Sequence, residues 1–484
     1  MNTSIRNLFV VLVLLFGVLV AFTSRWTVFE DGDLRADALN RRDVIRAERV
    51  PRGRILAADG TVLARSVRER SRSSGTTRYV RRYPLGSKYV GPVGYSDTSL
   101  TQTGLERSMN EPLAGKAVKL TTAVDRLVTG DQRGDDIRTT LRPRVQQAAL
   151  DGLGDRPGSV VALDPRTGKV LAMASRPGFD PNKAINESGY YASLTKRSDR
   201  VLLNRATQDA YVPGSVFKVV TAAAAIDSGK MTADTTVDGS NGQVFSGAPM
   251  NNYGGAQYGQ VTLRTSLTNS VNTAFGNVAE LVGKETMRRY MRRFGFDAKP
   301  PLDYPDDQLR ASGSYRDGRL IPATSRFVDV ARLGIGQDKL QVTPLQMAMV
   351  SAAVANRGRL MKPHLVDRIV DADGRVQREV EPELQQRVMG AGAADVLRSM
   401  MGDVVNEGTG TAASLSGITV GGKTGTAERD IRRGLNDLWF IGFAPLDDPK
   451  VAVAVVVENT TGAGGVVAAP IARDVMQAAL GGDG

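Results

Sequence analysis

Two groups of β-branched runs, more than two hundred residues apart, constrain what this chain can fold into. The first is GSVVALDPRTGKVLAMAS, residues 158–175, in which two apolar runs flank a DPRTGK turn and so predict a hairpin. The second is GITVGGKTGTAE, DLWFIGFAP and KVAVAVVVEN, residues 417–459, which predict three more strands joined by short loops. A helix is expected after them, from Pro470 to Leu480. The segment between the two groups reads as helices and loops. One sheet built from both ends of a domain, with a helical insertion, is the predicted architecture.

At 484 residues the chain exceeds one ordinary hydrophobic core, so at least two folded units are expected. The apolar run LFVVLVLLFGVLVAF, Leu8–Phe22, follows Arg6 and precedes Trp26, an aromatic of the membrane-interface type. With Thr23 and Ser24 it reaches the lower end of a spanning length. No small-residue cleavage signal follows, so an uncleaved anchor over 7–25 is expected, after a short tail at 1–6. Residues 26–154 then alternate short apolar runs with Arg, Gly and Ser, as in RGRILAADGTVLARS, and predict an elongated β-rich module in which ADG turns a hairpin. TTLRPRVQQAALDGL, Thr139–Leu153, has helical spacing and is expected to bridge to the main domain at 155–484.

Composition excludes several chemistries. There is no cysteine, so thiol nucleophiles, disulfides and thiolate metal sites are out. The single histidine, His364, lies in RGRLMKPHLV without a supporting motif, and no GxSxG elbow exists to pair with it. His364 is read as structural, and neither a metal nor a cofactor is expected. The net charge of +12 is concentrated from Arg41 to Arg82, where thirteen arginines face four acids. A solvated linker face is the simpler reading of that run, with anionic headgroups or wall polymers as the alternative; nucleic acid is not an expected partner.

The chemistry-bearing stretch is VPGSVFKVVTAAAAIDSG, residues 212–229, which places Ser215 and Lys218 at the head of an apolar helix. Residues three apart share a helix face, and a lysine held neutral by burial can take a serine proton. The same spacing recurs in Ser193-Leu194-Thr195-Lys196, but in a polar context. In SLTNSVNTAFG, Ser270 and Asn272 stand where two helices meet; Ser270 can relay a proton and Asn272 can offer an amide, or both can cap a helix. Ser108-Met109-Asn110 repeats that spacing outside the main domain. GGKTGTAE, residues 421–428, offers Lys423, Thr424, Gly425 and Thr426 on a strand of small residues, along which a peptide could lie as an added strand.

The ordered set Ser-x-x-Lys, Ser-x-Asn, Lys-Thr-Gly is specific where each part is not. With PRGRILAADG, GLERSMNEPLAG, GIGQDKLQVTPLQMA and WFIGFAP, it makes the chain resemble the class B penicillin-binding proteins, and most nearly the actinobacterial penicillin-binding protein A group. The resemblance implies an α+β fold: a penicillin-binding, serine β-lactamase-like domain with an antiparallel five-stranded sheet flanked by helices and an all-helical subdomain. It implies a peptidoglycan D,D-transpeptidase outside the cytoplasmic membrane, acting on stem peptides, inhibited by β-lactams and working beside a polytopic glycosyltransferase and other wall-synthesis proteins. Ser215 would be the acylated nucleophile and Lys218 its base. Ser270 and Lys423 would relay protons, Asn272 would hold the donor peptide, and Thr424, Gly425 and Thr426 would bind it at its carboxylate end. A β-lactamase or sensor is the second reading, though no Glu-x-x-Leu-Asn stands between the second and third motifs. A silent scaffold is the third. The chain departs from the family at Ala57 and Ala58, where an acidic and a basic residue are usual, which bears on coupling between modules.

Overall fold

The computed structural model describes residues 3–24, 50–70, 77–97, 101–115, 133–430 and 433–481. Trp26, all four arginines from Arg41 to Arg49, and Arg72 lie outside the described residues. The chain divides into two units, residues 1–51 with 68–80, and residues 52–67 with 81–484.

In the first unit, Thr3–Ser24 is one continuous helix of 22 residues. At 1.5 Å per residue it is about 33 Å long, which matches a bilayer's hydrocarbon thickness. Its apolar side chains are exposed. It is long and apolar enough to cross a membrane.

The second unit centres on a five-stranded antiparallel sheet made of β1 (Gly158–Leu163), β2 (Val170–Arg176), β3 (Gly421–Asp430), β4 (Leu435–Ala444) and β5 (Val451–Thr460). Their spatial order is β3-β4-β5-β1-β2. The predicted construction from both ends is therefore present: β5 pairs with β1, Val456 opposite Ser159, and closes the sheet across the insertion. The first turn forms as its residues dictate, with Asp164 Oδ1 accepting from Arg166 N at 2.9 Å and Gly168 at φ +82.

Alternation along the strands sorts side chains into two cores. Val161, Leu163, Val170, Ile441, Phe443, Ala452, Ala454 and Val456 face the helical insertion. Val160, Ala162, Leu171, Val453, Val455 and Val457 face the other way, against helix α1 (Pro143–Leu153) and the C-terminal helix α6 (Gly464–Leu480). Between them along the chain run α2 (Lys218–Asp227), α3 (Asn272–Val282), α4 (Pro344–Ala355) and α5 (Ala391–Asn406). Every residue of α4 is buried; the helix is apolar all round except for Gln346 and Ser351, which donate to Phe294 O and Gly442 O.

Two expected boundaries are corrected. The helix expected from Thr139 begins at Pro143, because Thr139 ends a strand, Asp136–Thr139, and Arg142 is extended before proline. The C-terminal helix starts at Gly464 rather than Pro470. Pro470 sits inside it, where packing of Ala468, Ala469, Ile471 and Ala472 against the sheet outweighs the lost backbone donor.

A second sheet combines four strands from before residue 155 with two from after it, in the order Val376–Glu379, Val366–Val370, Asp136–Thr139, Ile55–Leu56, Val62–Arg70, Thr77–Arg82. The ADG turn joins Ile55–Leu56 to Val62–Arg70, with Gly60 at φ +93 and Thr61 N donating to Asp59 Oδ1. Ala57 is fully buried, and Ala58 N donates to Leu141 O at 2.9 Å. Part of the basic run is not a solvated face. Arg52 Nε and Arg81 Nε grip opposite oxygens of Glu106 at 2.7 and 2.6 Å, and Arg54 is paired with Asp136. Burial opposes the Glu106 charge, but the Arg81 and Arg52 guanidiniums outweigh it and hold the carboxyl below its ordinary range. His364 is buried among backbone partners, its own N donating to Gly168 O and its carbonyl accepting from Val170 N.

Candidate active site

The segment bearing Ser215 is fixed before any chemistry is considered. Tyr211 exchanges two backbone hydrogen bonds with Val342, and its hydroxyl donates to Glu458 Oε1 at 2.6 Å. Glu458 also accepts from Arg205 Nε at 2.6 Å, in an ion pair almost closed to solvent. Trp439 Nε1 donates to Val212 O at 3.1 Å, and Gly214 N donates to Gly336 O at 2.9 Å. Gly336 has φ +78, and a Cβ there would stand 2.0 Å from Gly214 O. Only glycine fits that approach.

Ser215 itself lies in a 3-10 turn, Gly214–Phe217, directly before α2. This differs from the α-helical first turn expected. At three residues per turn, positions i and i+3 lie on one side of the turn, so Ser215 and Lys218 start from the same side of the chain. The positive φ of Gly214, +55, starts the turn against β3: a Cβ on Gly214 would lie 2.8 Å from Thr426 O, and one on Gly425 2.9 Å from Pro213 O. Small residues on β3 are thus what allow the nucleophile turn to lie on the strand.

Lys218 is fully buried. Its Nζ donates to Ser270 O and to Asn272 Oδ1, each at 2.7 Å, with Ser270 Oγ at 3.3 Å. The Phe275 ring centroid is 5.5 Å from the same nitrogen. Among the described residues no hydrogen bond joins Lys218 to the Ser215 hydroxyl; the amine is held by the second motif. Burial, with the nearby Lys423, pushes the Lys218 amine well below its ordinary value. Lys423 is also fully buried, donates to Thr424 O at 3.1 Å, and burial lowers it to about 7. Two buried lysines close together cannot both stay charged cheaply, and among the described residues neither amine has a carboxylate at hydrogen-bond distance.

Ser270 joins Leu263–Thr268 to α3 with φ +58, an uncommon conformation for a residue with a side chain. Asn272 starts α3. Its Oδ1 takes the Lys218 proton donor and its Nδ2 donates to Asn251 O at 2.9 Å, leaving one N–H free.

β3 is the edge strand of its sheet. Lys423 pairs with Ile441 and Thr426 with Leu438. By alternation Thr424 and Thr426 share the face opposite Lys423. Thr426 Oγ1 accepts from Gly464 N at 3.3 Å, whereas Thr424 is 6% exposed and its hydroxyl meets that of Thr409 at 2.6 Å. All three motifs therefore converge at the seam between β3, α2 and α3. The two repeats do not. Ser193 Oγ donates to Tyr190 O beside an exposed Lys196, and Ser108 Oγ donates to Asp303 O.

Sequence reading missed Asn251, Thr409 and Glu458. Thr409 had a signal in the Gly-Thr alternation of GTGTAA; Asn251 and Glu458 had none. Gly336 and Trp439 lay inside segments already singled out, though their task of holding the nucleophile turn did not show.

Residues 158–477 match the penicillin binding protein transpeptidase domain, and residues 52–137 the penicillin binding protein A dimerisation domain. The peptidoglycan D,D-transpeptidase PbpA of Mycolicibacterium smegmatis is 35% identical over 505 residues, covering 99% of each chain. That of Mycobacterium tuberculosis is 34% identical over the full length of both. Among solved structures, the ceftriaxone acyl-enzyme of penicillin-binding protein A from M. tuberculosis superposes with a TM-score of 0.81 at 33% identity, covering 90% of this chain and all of that one. Its imipenem acyl-enzyme gives 0.80 at 33% identity, with 89% and 98% coverage. With the sheet, the helical insertion and the three converging motifs in the same order, this chain belongs to the penicillin-binding protein transpeptidase family.

Proposed function

We propose that the chain is a membrane-anchored peptidoglycan D,D-transpeptidase that acylates itself at Ser215. The observation that carries this is the Lys218 amine, three residues after Ser215, fully buried, held by Ser270 and Asn272, and with no acid at ion-pair distance among the described residues. A neutral amine accepts a proton that an ammonium cannot.

In the first step Ser215 Oγ gives its proton to Lys218 Nζ and attacks the carbonyl carbon of the penultimate D-alanine. The backbone N–H groups of Ser215 and Thr426, brought together by the Gly214 approach, receive the oxyanion. The peptide C–N bond then breaks, a proton passes to the leaving D-alanine nitrogen by way of Ser270, and an ester remains on Ser215. In the second step the amine of a neighbouring stem peptide attacks the ester and its proton returns through Lys218 to Ser215. Lys423, beneath the same seam, supplies or takes the relayed proton. Asn272 uses its free N–H for a donor-peptide carbonyl. Gly425 leaves room for the added strand and Thr426 takes the terminal carboxylate, while Thr424, pinned by Thr409, keeps that edge in register. A β-lactam enters the same path, but its opened ring stays attached and the ester persists.

The organisation that suits this activity is a tail at 1–6, an anchor at 7–25, an interaction module at 26–154 and the catalytic domain at 155–484 on the outer side of the cytoplasmic membrane, where stem peptides lie. A glycosyltransferase that makes the glycan is the natural partner. The test is labelling with fluorescent penicillin followed by digestion. One labelled peptide containing Ser215 is expected, lost in Ser215→Ala and much reduced in Lys218→Ala; label on another residue, or rapid loss of label, overturns the reading.

A further inference from the structure

Away from the seam, the helix Lys284–Arg293 carries KETMRRYMRR. Its buried face is Thr286, Met287, Tyr290 and Met291, which leaves Arg288, Arg289, Arg292 and Arg293 on the outside. Like charges three and four residues apart destabilise a helix, so such a face is not explained by the helix itself. Among the described residues only Arg293 has an acid within ion-pair distance: Asp227 at 3.5 Å, whose oxygens also accept from Tyr290 Oη and Gly390 N. Arg289 and Arg293 lie over the Tyr290 ring, 5.6 and 5.0 Å from its centroid, so the aromatic orders two guanidiniums.

The four arginines, with Glu285 and Gln386, line an open groove of about 420 Å³. Gln386 comes from the strand Leu384–Arg387, and its amide nitrogen caps the carbonyls of Arg292 and Arg293. Its carbonyl oxygen remains an acceptor at the groove. The groove thus offers guanidinium donors for carboxylates, an amide oxygen for a peptide N–H, and one carboxylate for an amine. That mixture suits a peptide bearing acids and an amine better than a run of phosphates, which Glu285 would repel.

Position gives it meaning. Asp227, which ties this helix down, is the last residue of α2, and Lys218 is the first. Nine rises of 1.5 Å separate the backbone positions of Lys218 and Asp227 by about 14 Å along α2. We propose that this face is a second binding site, outside the catalytic seam, for the carboxylate-bearing stem peptides of the glycan strand being cross-linked. It rests on the transpeptidase reading above. A polymer presents stem peptides repeatedly, so holding one of them here raises the local concentration of its neighbours at Ser215 without changing how a single small donor reacts.

The experiment uses the full chain in detergent and two triple variants, Arg288→Gln/Arg289→Gln/Arg292→Gln and Arg288→Lys/Arg289→Lys/Arg292→Lys. Penicillin labelling of Ser215 should be unchanged in both; its loss in the wild type would refute the enzymatic reading instead, and its loss in a variant that still folds, by circular dichroism, overturns the placement of this face outside the catalytic seam. Co-sedimentation with purified peptidoglycan should fall about tenfold in the Gln variant at low salt, be largely retained in the Lys variant, and converge at high salt. Peptidoglycan stripped of phosphodiester-linked polymers should bind as well as before, and peptidoglycan with esterified carboxylates should bind the wild type as weakly as the Gln variant does. Equal sedimentation of wild type and Gln variant at low salt overturns the proposal, as does binding that survives esterification or vanishes with the phosphodiesters.

Discussion

Lys218 Nζ and Asn272 Oδ1 are 2.7 Å apart, so the group proposed to take the Ser215 proton is hydrogen-bonded to the group proposed to meet the donor peptide. The lowered proton affinity of Lys218 depends on that partner being an amide. In Asn272→Asp a carboxylate would sit at hydrogen-bond distance from a buried amine and hold it charged. Acylation by penicillin should slow by about 10²-fold or more at neutral pH, with the pH profile displaced to the alkaline side. A loss confined to substrate affinity, with the profile unmoved, would assign Asn272 to binding alone. Stopped-flow acylation across pH separates the two outcomes.

The paired lysines give the wild type its own pH dependence. Burial lowers Lys423 to about 7 and takes Lys218 well below its ordinary range. Acylation should therefore fall as pH drops through about 7 and below, while both amines gain protons. The sign for stability follows from the same burial. Between about 7 and the ordinary 10.5 the unfolded chain binds a proton at Lys423 that the folded chain does not, so the Lys423 contribution to stability rises with pH across that window and is level below it, while Lys218 adds to the slope in the same sense. Lys423→Met should reduce the slope of denaturant midpoint against pH between those limits, leaving the part that Lys218 contributes. An unchanged slope in the variant would place the proton elsewhere.

Gly336 is the narrowest contact behind Ser215. Gly336→Ala would need a left-handed φ and a Cβ 2.0 Å from Gly214 O. The 3-10 turn must shift to admit it. Acylation should fall by at least about tenfold, because small misplacements of a nucleophile cost heavily. Gly417→Ala, also at positive φ but with nothing within 4 Å, is the control for backbone strain alone. If both variants acylate alike, the contact with Gly214 is not what positions Ser215.

The Arg205–Glu458 pair is closed to solvent, and Glu458 also accepts from Tyr211, four residues before Ser215. Removing one partner of a buried pair takes away the closest cation from a carboxylate that stays largely shut off from water. Arg205→Ala should cost about 3–5 kcal/mol in urea unfolding. Tyr211→Phe leaves the ion pair intact and should cost about 1 kcal/mol, with a slower acylation that marks loosening of the nucleophile segment. A neutral Arg205→Ala would show that water reaches Glu458.

Where the sequence carried short-range patterns, the molecule follows them. The two strand groups, the DPRTGK and ADG turns and the helix junction at Ser270 were readable because turn residues and two-residue alternation act locally. The motif residues were readable as a set, since Lys218, Ser270, Asn272 and Lys423 meet at one seam. What could not be read was contact made across the fold. Nothing near Arg52 or Arg81 in the chain says that both reach inward to Glu106, and nothing near Glu458 says that it supports Tyr211. The 3-10 turn at Ser215 was hidden for the same reason: Gly336 and Gly425, more than a hundred residues away, set it. Pro470 misled because proline is a local stop signal that packing of α6 overrides.

The sheet's construction from both ends has a consequence for the timing of activity. Its inner strand β5 is the only link between β4 and β1, and it lies near the end of the chain. A chain delivered N-terminus first exposes Ser215 and Lys218 long before Lys423 and Glu458 arrive. A copy halted before residue 451 would hold all three motifs without the strand that closes the sheet around them, and should neither cross-link nor be trapped by an antibiotic.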